Sequence, residues 1–416
     1  MIYNLCVLGL GYIGLPTASI FATRGKKVLG VDVVPRVVDT INRGEIHIEE
    51  PDLDVLVRAA VHSGNLCAGL KPEAAQIFII AVPTPFKLAS SNRKVPDLAY
   101  VEAATRSIAP VVSSGNLVIL ESTSPVGTTE LIRQWLLDEI ARIRPEELTS
   151  LQETLLFAHC PERILPGQMM KELIANDRIA GGLTLAAAEA ARDLYQTFCI
   201  GEIVLTDART AEMCKLTENA SRDVGIAFAN ELSLICDRLG INVWELIKLA
   251  NRHPRVNILK PGPGVGGHCI AVDPWFIVDA APDLAQLIRT AREVNDSKPH
   301  YVIEKVKTYA ARFSSPVIAC LGLAFKANVD DLRESPALDI VRELLANKVG
   351  RVIVVEPHIS ELPSILNGEV ELMSLDSAVA AADVVVLLVD HHEFLKFNSP
   401  TLEGKVVIDT RGAWRG

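Results

Sequence analysis

Short apolar runs alternate with amphipathic segments through the first half of the chain. The clearest runs are NLCVLGL, KVLGVDV, QIFIIAV and LVILEST, and LLFAHCPERI and RIAGGL continue the series. Runs that are short, rich in β-branched residues and apolar on both faces are typical of strands buried in a parallel sheet. The pattern therefore predicts a doubly wound α/β domain over residues 1–206, with right-handed connections between its strands.

A long helical pattern replaces the strands from residue 207. Residues 211–240 carry apolar positions at helical spacing for roughly eight turns and end at Gly240, a residue type that favours a helix C-terminus. INVWELIKLANRH and LAQLIRTAREVNDSKPHYVIEKVKTYAARF predict further helices, and a loop dense in Gly and Pro separates them at residues 261–274. We therefore predict an all-helical central domain over residues 207–312, with the long helix as its spine.

Strand patterns return after residue 312. PVIACLGLAF, RVIVVEP, ADVVVLLVD and KVVIDTRG predict strands, and SPALDIVRELLANKVG predicts a helix after the first of them. These segments predict a second, smaller α/β domain over residues 313–416. The expected fold class is α/β, with two doubly wound domains joined by the all-helical domain.

Length and composition exclude several classes of protein. A chain of 416 residues can hold two or three domains, and its 49% hydrophobic content excludes a disordered chain. The net charge of −10 argues against nucleic acid as the main partner, because a phosphate backbone requires a basic face. The apolar N-terminus lacks a basic segment and is interrupted by Pro16, and no run of about 18 apolar residues occurs. We therefore expect no membrane insertion and a cytoplasmic protein.

A glycine-rich turn follows the first predicted strand. GLGYIG at residues 9–14 precedes a helical pattern, and its glycines let the backbone approach a pyrophosphate at a helix N-terminus. The second strand ends in Asp32, whose carboxylate would bind ribose hydroxyls and repel a 2′-phosphate, although Arg36 could accept that phosphate. Thr84 and Thr123 follow two further strands at the same sheet edge, either as cofactor contacts or as turn hydroxyls. The pattern predicts a Rossmann-like domain that binds NAD, with a tight turn without a ligand as the alternative.

One of the eight cysteines differs from the others in its surroundings. The cysteines are scattered without CxxC pairs, which argues against a disulfide framework and favours reduced thiols that mostly pack in cores. Cys269 instead follows GVGGH, a flexible loop whose backbone N–H groups could bring a thiol close to a substrate. We therefore predict that Cys269 is a nucleophile. The histidines are too dispersed to suggest a metal site, and we expect no metal.

Polar side chains recur on the long helix and in a nearby loop. Lys215 and Asn219 lie four residues apart and share a helix face, with Glu212 and Arg222 on adjoining turns. The loop RHPRVN at residues 252–257 is basic and suits a diphosphate. A solvated surface is the alternative for each residue, but their recurrence on a largely buried helix favours a ligand-facing stripe.

In the C-terminal domain, candidate ligand groups again follow the strands. Phe325 and Lys326 lie in the loop after its first strand, together with DLRES at residues 331–335, and Arg411 follows its last strand. These positions are at the carboxyl edge of the predicted sheet, where open α/β sheets bind ligands. We expect NAD on one side of a cleft between domains and an anionic substrate on the other.

Taken together, these segments resemble the UDP-glucose/GDP-mannose dehydrogenase family. GLGYIGLP, ESTSPVGTT, CPERILPG, KLTEN, GVGGHC, REVN and GLAFKANVDDLRESPA occur in the family's order and span nearly the whole chain. The resemblance implies an NAD-dependent enzyme that is a homodimer through the helical domain, with the Arg255 loop reaching the partner's site. It also implies that C6 of a UDP-sugar is oxidised to a carboxylate by two NAD molecules in turn, through a thiohemiacetal and a thioester on Cys269.

The resemblance also assigns roles to individual residues. The implied catalytic residues are Cys269, Lys215, Asn219, Asp273, Thr123 and Glu162. The implied cofactor contacts are Gly9, Gly11, Tyr12, Ile13, Gly14, Asp32, Arg36, Thr84, Thr123 and Arg333. The implied substrate contacts are Arg163, Ile164, Lys215, Asn219, Arg222, His253, Arg255, Gly266, Phe325, Lys326 and Arg411. In these roles Lys215 exchanges protons with the substrate, and the acidic residues and Thr123 position or activate water.

One departure within the family bears on the sugar. Where the UDP-glucose branch usually has Pro-Lys-Asp after the cysteine segment, this chain has Ala271-Val272-Asp273, which favours a UDP-N-acetylhexosamine. The resemblance of residues 252–276 implies UDP-N-acetyl-D-mannosamine, oxidised for a surface polysaccharide such as enterobacterial common antigen. UDP-N-acetylglucosamine and UDP-glucose are the alternatives. Two other classes stay open: a two-electron hydroxyacid dehydrogenase, which releases one NADH per substrate, and a nucleotide-sugar sensor without turnover.

Overall fold

The computed structural model describes residues 3–48, 50–88, 94–164, 167–267, 269–366, 368–397 and 399–414. Three residues of the motifs above, Leu165, Pro166 and His268, lie outside these ranges. The chain divides into two compact units, Met1–Glu218 and Asn219–Gly416.

A largely parallel sheet forms the centre of the first unit. The strands of this unit are β1 (Tyr3–Leu8), β2 (Val28–Val31), β3 (Leu66–Gly69), β4 (Ala75–Ile80), β5 (Phe86–Leu88), β6 (Lys94–Pro96), β7 (Leu117–Leu120), β8 (Leu156–His159), β9 (Arg178–Gly182) and β10 (Ile203–Asp207). In the described part of the chain, eight of them form one sheet in the order β10-β9-β8-β7-β4-β1-β2-β3, and β5 and β6 form a separate antiparallel ribbon. Within the sheet, β8 and β9 pair antiparallel and the other neighbours pair parallel.

Helices cover both faces of this sheet. They are α1 (Gly14–Thr23), α2 (Pro35–Asn42), α3 (Leu53–His62), α4 (Ala99–Ile108), α5 (Thr128–Ile143), α6 (Leu148–Thr154), α7 (Met169–Ala175) and α8 (Leu185–Tyr195), with a 3-10 turn at Pro145–Glu147. Leu5 and Val7 of β1 belong to one buried cluster, and Cys6 and Leu8 belong to another. Because alternate residues of a strand point to opposite faces, a strand covered on both sides is apolar at every position.

A long helix, α9 (Ala208–Leu239), crosses from the first unit into the second. It ends before Gly240, whose φ of 71° is the left-handed geometry that stops a helix, so the predicted spine helix is confirmed. The helices that follow are α10 (Val243–Ala250), α11 (Asp273–Ala280) and α12 (Gln286–Ala310). The sequence predicts α10 and α12 but not α11, because WFIVDA is nearly all apolar and shows no helical period.

The second unit ends in a smaller parallel sheet. Its strands are β11 (Val317–Leu321), β12 (Arg351–Val355), β13 (Glu371–Leu372), β14 (Val384–Leu387) and β15 (Val406–Asp409). They pair in parallel in the order β13-β12-β11-β14-β15. The accompanying helices are α13 (Pro336–Ala346), α14 (Leu375–Ala381) and α15 (His392–Leu395), with 3-10 turns at Ser364–Leu366 and Ser399–Leu402. Buried apolar clusters line both faces of this sheet.

The predicted fold class is confirmed, because two Rossmann-like α/β sheets are separated along the sequence by an all-helical segment. The domain limits 1–206, 207–312 and 313–416 stay a prediction. No helix within the described ranges has the length and apolar character needed to cross a membrane.

Candidate active site

The glycine-rich turn after β1 allows close approach of the backbone. A Cβ at Gly9 would lie 2.7 Å from the carbonyl oxygen of Ala81, and one at Gly14 would lie 1.8 Å from the carbonyl oxygen of Gly9. Gly9 also has a φ of 90°, which favours glycine. A Cβ at Gly11 would meet no described atom within 4 Å. Gly9 and Gly14 therefore close the turn against the sheet, while Gly11 leaves room for a pyrophosphate.

Asp32 follows β2 and is held by backbone groups on both sides. Its carboxylate accepts hydrogen bonds from the N–H of Leu10, at 3.0 Å, and from the N–H of Val34, at 2.9 Å. It remains half-buried beside the glycine-rich turn, so the hydroxyls of an adenosine ribose can reach it. Tyr12 is exposed in the turn, and Arg36 is exposed in the first turn of α2. These groups fit NAD.

The loops after β4 and β7 meet through their hydroxyl residues. The Thr84 hydroxyl donates to the carbonyl oxygen of Thr123 at 2.5 Å, and the Ser122 hydroxyl donates to the carbonyl oxygen of Val82 at 2.6 Å. Thr84 and Thr123, which the sequence singled out separately, are therefore in direct contact at the carboxyl edge of the sheet. Because the Thr84 hydroxyl donates its proton to the Thr123 backbone, the Thr84 hydroxyl oxygen can only accept a hydrogen bond from a ligand.

A buried ion-pair network connects β7, β8 and β9. Glu121 accepts hydrogen bonds from the Thr17 and Tyr195 hydroxyls, each at 3.0 Å. Arg178 pairs with Glu162 at 2.8 Å and approaches Glu121 to 3.9 Å. Burial, reinforced by the nearby Glu162 carboxylate, raises the pKa of Glu121 to about 7. Glu162 is thus anchored in the interior by Arg178, a partner that sequence reasoning missed because it lies on a different strand.

Arg163 and Ile164 follow β8 and are half-buried. The Arg163 guanidinium pairs with Glu218 at 2.7 Å and donates to the carbonyl oxygen of Asp177 at 3.1 Å. These two contacts orient the guanidinium of Arg163, a predicted substrate contact, without the help of a ligand.

Glu50 holds the chain just beyond that loop. Its two carboxylate oxygens accept from the N–H of Gly167 at 3.0 and 2.9 Å, and one of them also accepts from the N–H of Met169 at 2.9 Å. Glu50 is 7% exposed, so its charge is directed at these backbone groups. Sequence reasoning missed Glu50, because in sequence it looks like any surface carboxylate and its partners lie more than a hundred residues away.

The polar residues predicted to share a ligand-facing stripe on α9 differ in burial and in role. Glu212 is buried and accepts from the N–H groups of Gly127 and Thr129, at 2.6 and 2.8 Å, and from the Thr129 hydroxyl at 2.6 Å. Because these donors lie at the start of α5, Glu212 caps that helix, and the expectation that it faces a ligand is wrong. Lys215, three residues further along α9, is half-buried.

Cys269 is the exposed member of the eight cysteines, all of which lie within the described ranges. Its carbonyl oxygen accepts from the N–H groups of Val272, at 3.0 Å, and Asp273, at 2.8 Å, which turns the chain into α11. Asp273 is buried and accepts from the Asn219 side-chain amide at 2.5 Å. The structure therefore brings together three of the predicted catalytic residues.

The glycines in the cysteine loop, residues 261–272, are required by packing. A Cβ at Gly266 would lie 2.3 Å from the carbonyl oxygen of Glu334, and one at Gly267 would lie 2.9 Å from the Phe325 ring. The loop therefore packs directly on the segment after β11, where sequence reasoning placed substrate contacts. We expected these glycines to give flexibility, and the structure shows that they allow close contact.

Arg411 follows β15 and is oriented by an acid. Its guanidinium pairs with Asp390 at 2.7 Å. A Cβ at Gly262 would lie 2.6 Å from the same guanidinium, so Arg411 lies against the start of the cysteine loop. Asp390 is a further residue that the sequence did not single out.

Other predicted residues lie at the surface. The exposed side chains in this group are Arg222, His253, Arg255, Lys326 and Arg333. Arg333 pairs with Asp331 at 2.7 Å, and the backbone N–H of Arg255 donates to the His253 ring at 3.3 Å. Within the described residues, Arg222 makes no hydrogen bond or ion pair with another predicted site residue. In the same part of the chain, no group of three or more His, Cys, Asp or Glu side chains could hold a metal ion.

The C-terminal sheet also has a carboxylate after its second strand, as Asp32 follows β2, but this carboxylate is buried. Glu356 follows β12 and accepts from the N–H groups of Leu323, at 2.7 Å, and Ala324, at 3.0 Å, and it lies 3.1 Å from the His391 ring. Burial would raise the pKa of Glu356, but the hydrogen bonds from His391 and the backbone outweigh it and lower that pKa. Since Glu356 is 3% exposed, a ribose cannot reach it.

Comparison with known families agrees with this arrangement. Residues 3–199 match the NAD binding domain of the UDP-glucose/GDP-mannose dehydrogenase family, residues 209–297 match its central domain, and residues 319–416 match its UDP binding domain. The chain belongs to this family of dehydrogenases. It is an NAD-dependent UDP-sugar dehydrogenase, with NAD as its cofactor.

Individual relatives cover almost the whole chain. The chain is 61% identical to an NDP-N-acetyl-D-galactosaminuronic acid dehydrogenase of Ralstonia nicotianae, over 99% of this chain and 96% of the relative. It is 57% identical to the UDP-N-acetyl-D-mannosamine dehydrogenase of Escherichia coli K12, over 99% of both proteins. A solved structure of a UDP-D-ManNAc dehydrogenase from Pyrococcus horikoshii is 41% identical, covers 98% of this chain and 95% of its own, and superposes with a TM-score of 0.86.

Proposed function

We propose that this enzyme oxidises C6 of a UDP-N-acetylhexosamine to a carboxylate through a covalent bond to Cys269. The observation that supports this most is the exposed Cys269, in a turn beside the hydrogen-bonded pair of Asn219 and Asp273. Oxidising an alcohol to an acid removes two hydrides, and NAD accepts one in each step. A thiol suits the second step because it adds readily to an aldehyde and leaves readily from a thioester.

In the proposed reaction, Lys215 exchanges protons with the oxygen on C6. It takes the hydroxyl proton as the first hydride leaves, which gives the aldehyde. The Cys269 thiolate then attacks the aldehyde carbon, and the oxygen regains a proton from Lys215 to form a thiohemiacetal. When the second hydride leaves, that proton returns to Lys215 and a thioester remains. Water attacks the thioester carbon as an acidic side chain takes one of its protons, the C–S bond breaks, and the sulfur leaves as a thiolate. The acid product then releases its remaining proton to solvent.

Other polar residues are proposed to support these steps. Asn219 stabilises the charge that develops on the C6 oxygen, as a fixed amide donor can. Thr123, Glu162 and Asp273 position or activate the water that releases the product. Asp273 has the strongest support among them, because its backbone N–H is bonded to the carbonyl oxygen of Cys269.

We assign NAD mainly to residues of the N-terminal sheet and the UDP-sugar to residues from all three parts of the chain. The proposed NAD contacts are Gly9, Gly11, Tyr12, Ile13, Gly14, Asp32, Arg36, Thr84, Thr123 and Arg333. The proposed substrate contacts are Arg163, Ile164, Lys215, Asn219, Arg222, His253, Arg255, Gly266, Phe325, Lys326 and Arg411. Arg411 is a strong candidate for the diphosphate, because Asp390 directs its guanidinium toward the cysteine loop.

Two UDP-N-acetylhexosamines are the candidate substrates. UDP-N-acetyl-D-mannosamine is the first candidate, because residues 271–273 depart from the UDP-glucose pattern and because relatives 57% identical to this chain carry that substrate in their names. The galacto isomer is the second, because the Ralstonia relative at 61% identity is named for an N-acetylgalactosaminuronic acid. The proposed product is a uronate for a surface polysaccharide, formed in the cytoplasm.

We also propose a homodimer formed through the helical domain. Along α9, Phe228, Ile235 and Leu239 are 51%, 46% and 64% exposed. Their spacing of seven and four residues places them on one helix face. A row of large apolar side chains on a surface favours a protein partner, because burying it removes apolar area from water.

Counting NADH tests the proposed reaction. The enzyme is given NAD with UDP-N-acetyl-D-mannosamine, UDP-N-acetyl-D-galactosamine, UDP-N-acetylglucosamine or UDP-glucose, and NADH formed is compared with sugar consumed. We expect two NADH per N-acetylhexosamine and little reaction with UDP-glucose. One NADH per sugar would indicate a two-electron dehydrogenase, and binding without NADH would indicate a sensor; either result would contradict the proposal.

A further inference from the structure

A buried chain of side-chain amides links an ion pair to the cysteine loop. Arg292 on α12 pairs with Asp223 on α9 at 2.6 Å, and both side chains are fully buried. The Asn295 amide donates to Asp223 at 2.8 Å, and the Asn230 amide donates to the side-chain oxygen of Asn295 at 2.8 Å. The side-chain oxygen of Asn230 then accepts from the N–H of Gly262, in the cysteine loop, at 2.8 Å.

The carboxylate at one end fixes the direction of every bond in this chain. Paired with Arg292, the Asp223 carboxylate only accepts, so Asn295 must turn its NH2 group toward Asp223 and its oxygen toward Asn230. Asn230 must therefore donate to Asn295, which leaves its oxygen for the N–H of Gly262. Reversing either amide would place donors against donors or acceptors against acceptors in a buried site, where each unmade bond destabilises the fold.

The same ion pair reaches the other end of the cysteine loop. Arg292 also donates to the carbonyl oxygen of Ile270, the neighbour of Cys269, at 3.4 Å. Gly262, at the first end, lies against the Arg411 guanidinium. Both ends of the cysteine loop are therefore tied to one network of buried polar groups.

We propose that Asn230 is a positioning residue for the reaction. Through its hydrogen bonds to Asn295 and Gly262, Asn230 connects the cysteine loop to the Asp223–Arg292 pair and so positions the Cys269 sulfur. This inference rests on the proposed covalent role of Cys269. It predicts that breaking the chain at Asn230 moves the thiol and slows turnover, while the affinity for NAD is kept.

Two variants of Asn230 test the inference. Asn230→Leu removes both hydrogen bonds at similar volume, and Asn230→Asp keeps the acceptor for Gly262 but loses the donor to Asn295. A misplacement of about 1 Å can cost about 100-fold in rate, so we expect kcat to fall about 100-fold in Asn230→Leu and about tenfold in Asn230→Asp. We also expect the rate of Cys269 alkylation by iodoacetamide to change at least about threefold, since access depends on the position of the sulfur.

Ser233→Ala is the matched control. Ser233 lies one turn along α9. Its hydroxyl donates to the backbone carbonyl oxygen of Asn230 and accepts from Lys298 on α12, and neither bond involves the Asn230 side-chain amide. This variant leaves the amide chain intact and should keep wild-type kcat and alkylation. Wild-type kcat and alkylation in Asn230→Leu would overturn the inference. The inference would also be overturned if Ser233→Ala lost as much kcat and as much melting temperature as Asn230→Leu. Both variants would then act through a general loss of helix packing. Alkylation reports the place of the thiol whether or not the thiol is catalytic, so failure here is distinct from failure of the proposed function.

Discussion

A carboxylate follows the second strand of each sheet, and its exposure differs between the two. Asp32 is half-buried beside an open glycine turn, whereas Glu356 is buried under the ring of His391. Both accept backbone N–H groups from the loop after the first strand. The difference in exposure therefore explains, at the level of single residues, why the first sheet holds the dinucleotide.

The charge of Asp32 should select NAD over NADP. In Asp32→Asn the amide no longer repels a 2′-phosphate, and Arg36 is available nearby to attract it, so we expect the ratio of kcat/KM for NADP to that for NAD to rise about tenfold, equivalent to about 1.4 kcal/mol. The ratio is measured from initial rates with each cofactor. Asp39→Asn, at an exposed position on α2 outside the glycine-rich turn, is the control. An unchanged ratio in Asp32→Asn would count against the assigned role.

His159 should make the protein less stable in mild acid. It is fully buried, and burial lowers the pKa of its ring to about 3. Below its ordinary pKa of about 6.5, the unfolded chain binds a proton that the folded chain does not. The free energy of unfolding therefore falls between pH 6.5 and pH 3, by up to about 1.4 kcal/mol per pH unit.

Replacing the ring should remove that dependence. In His159→Leu, the loss of unfolding free energy between pH 7.5 and pH 5 should be about 2 kcal/mol smaller than in wild type, as measured by urea denaturation. His62→Leu, at an exposed histidine, should leave the dependence nearly unchanged. If His159→Leu and wild type lost the same free energy, the ring would not be the cause.

At the scale of elements, the cysteine loop depends on contact with the segment after β11. Gly266 has no room for a side chain, because its Cβ would lie 2.3 Å from a carbonyl oxygen. Gly266→Ala should therefore displace the loop, lower the free energy of unfolding by about 1–3 kcal/mol and reduce kcat. Unfolding in urea and steady-state kinetics measure these effects.

Gly69→Ala is the control for the loop. Gly69 also lacks a left-handed φ, and its Cβ would make ordinary contacts of 3.5 Å or longer. We expect this variant to keep kcat. Full turnover by Gly266→Ala would show that the close packing does not position the loop.

The elements that the sequence predicted are those with a clear hydrophobic period. Strands such as β1 and β4 are apolar on both faces, and α9 keeps its period to a terminal glycine, so their type follows from local pattern. The short helix α11 has no such period and was not predicted. The residues after strand ends, including Thr84 and Thr123, could be placed at one edge because parallel strands share a direction.

The polar partners of the site could not be predicted in the same way. Glu50, Arg178 and Asn230 each act on a group far away in sequence, and no local pattern marks which carboxylate, guanidinium or amide will be buried. Their pairing follows from the folded arrangement, where a buried polar group requires a partner. Sequence therefore marks candidate ligand contacts more readily than it marks the buried groups that hold those candidates in place.

At the scale of the whole molecule, the row of apolar residues on α9 predicts the oligomeric state. Phe228→Glu places a charge within the proposed dimer interface, where burying it without a partner is costly. We expect the variant to be monomeric by light scattering at concentrations where wild type is dimeric. Leu185→Glu, at a leucine 68% exposed on α8, should leave the dimer intact. A dimeric Phe228→Glu protein would contradict an interface on this face.

The covalent role of Cys269 is tested most directly by trapping the thioester. Wild-type enzyme quenched with acid during turnover of its UDP-N-acetylhexosamine should carry a mass increase equal to the acyl UDP-sugar on the peptide that contains Cys269. Cys269→Ser should bind NAD and the UDP-sugar but form neither this adduct nor the uronate. Substantial uronate formation by Cys269→Ser, or wild-type turnover with acylation of a different peptide, would contradict the mechanism.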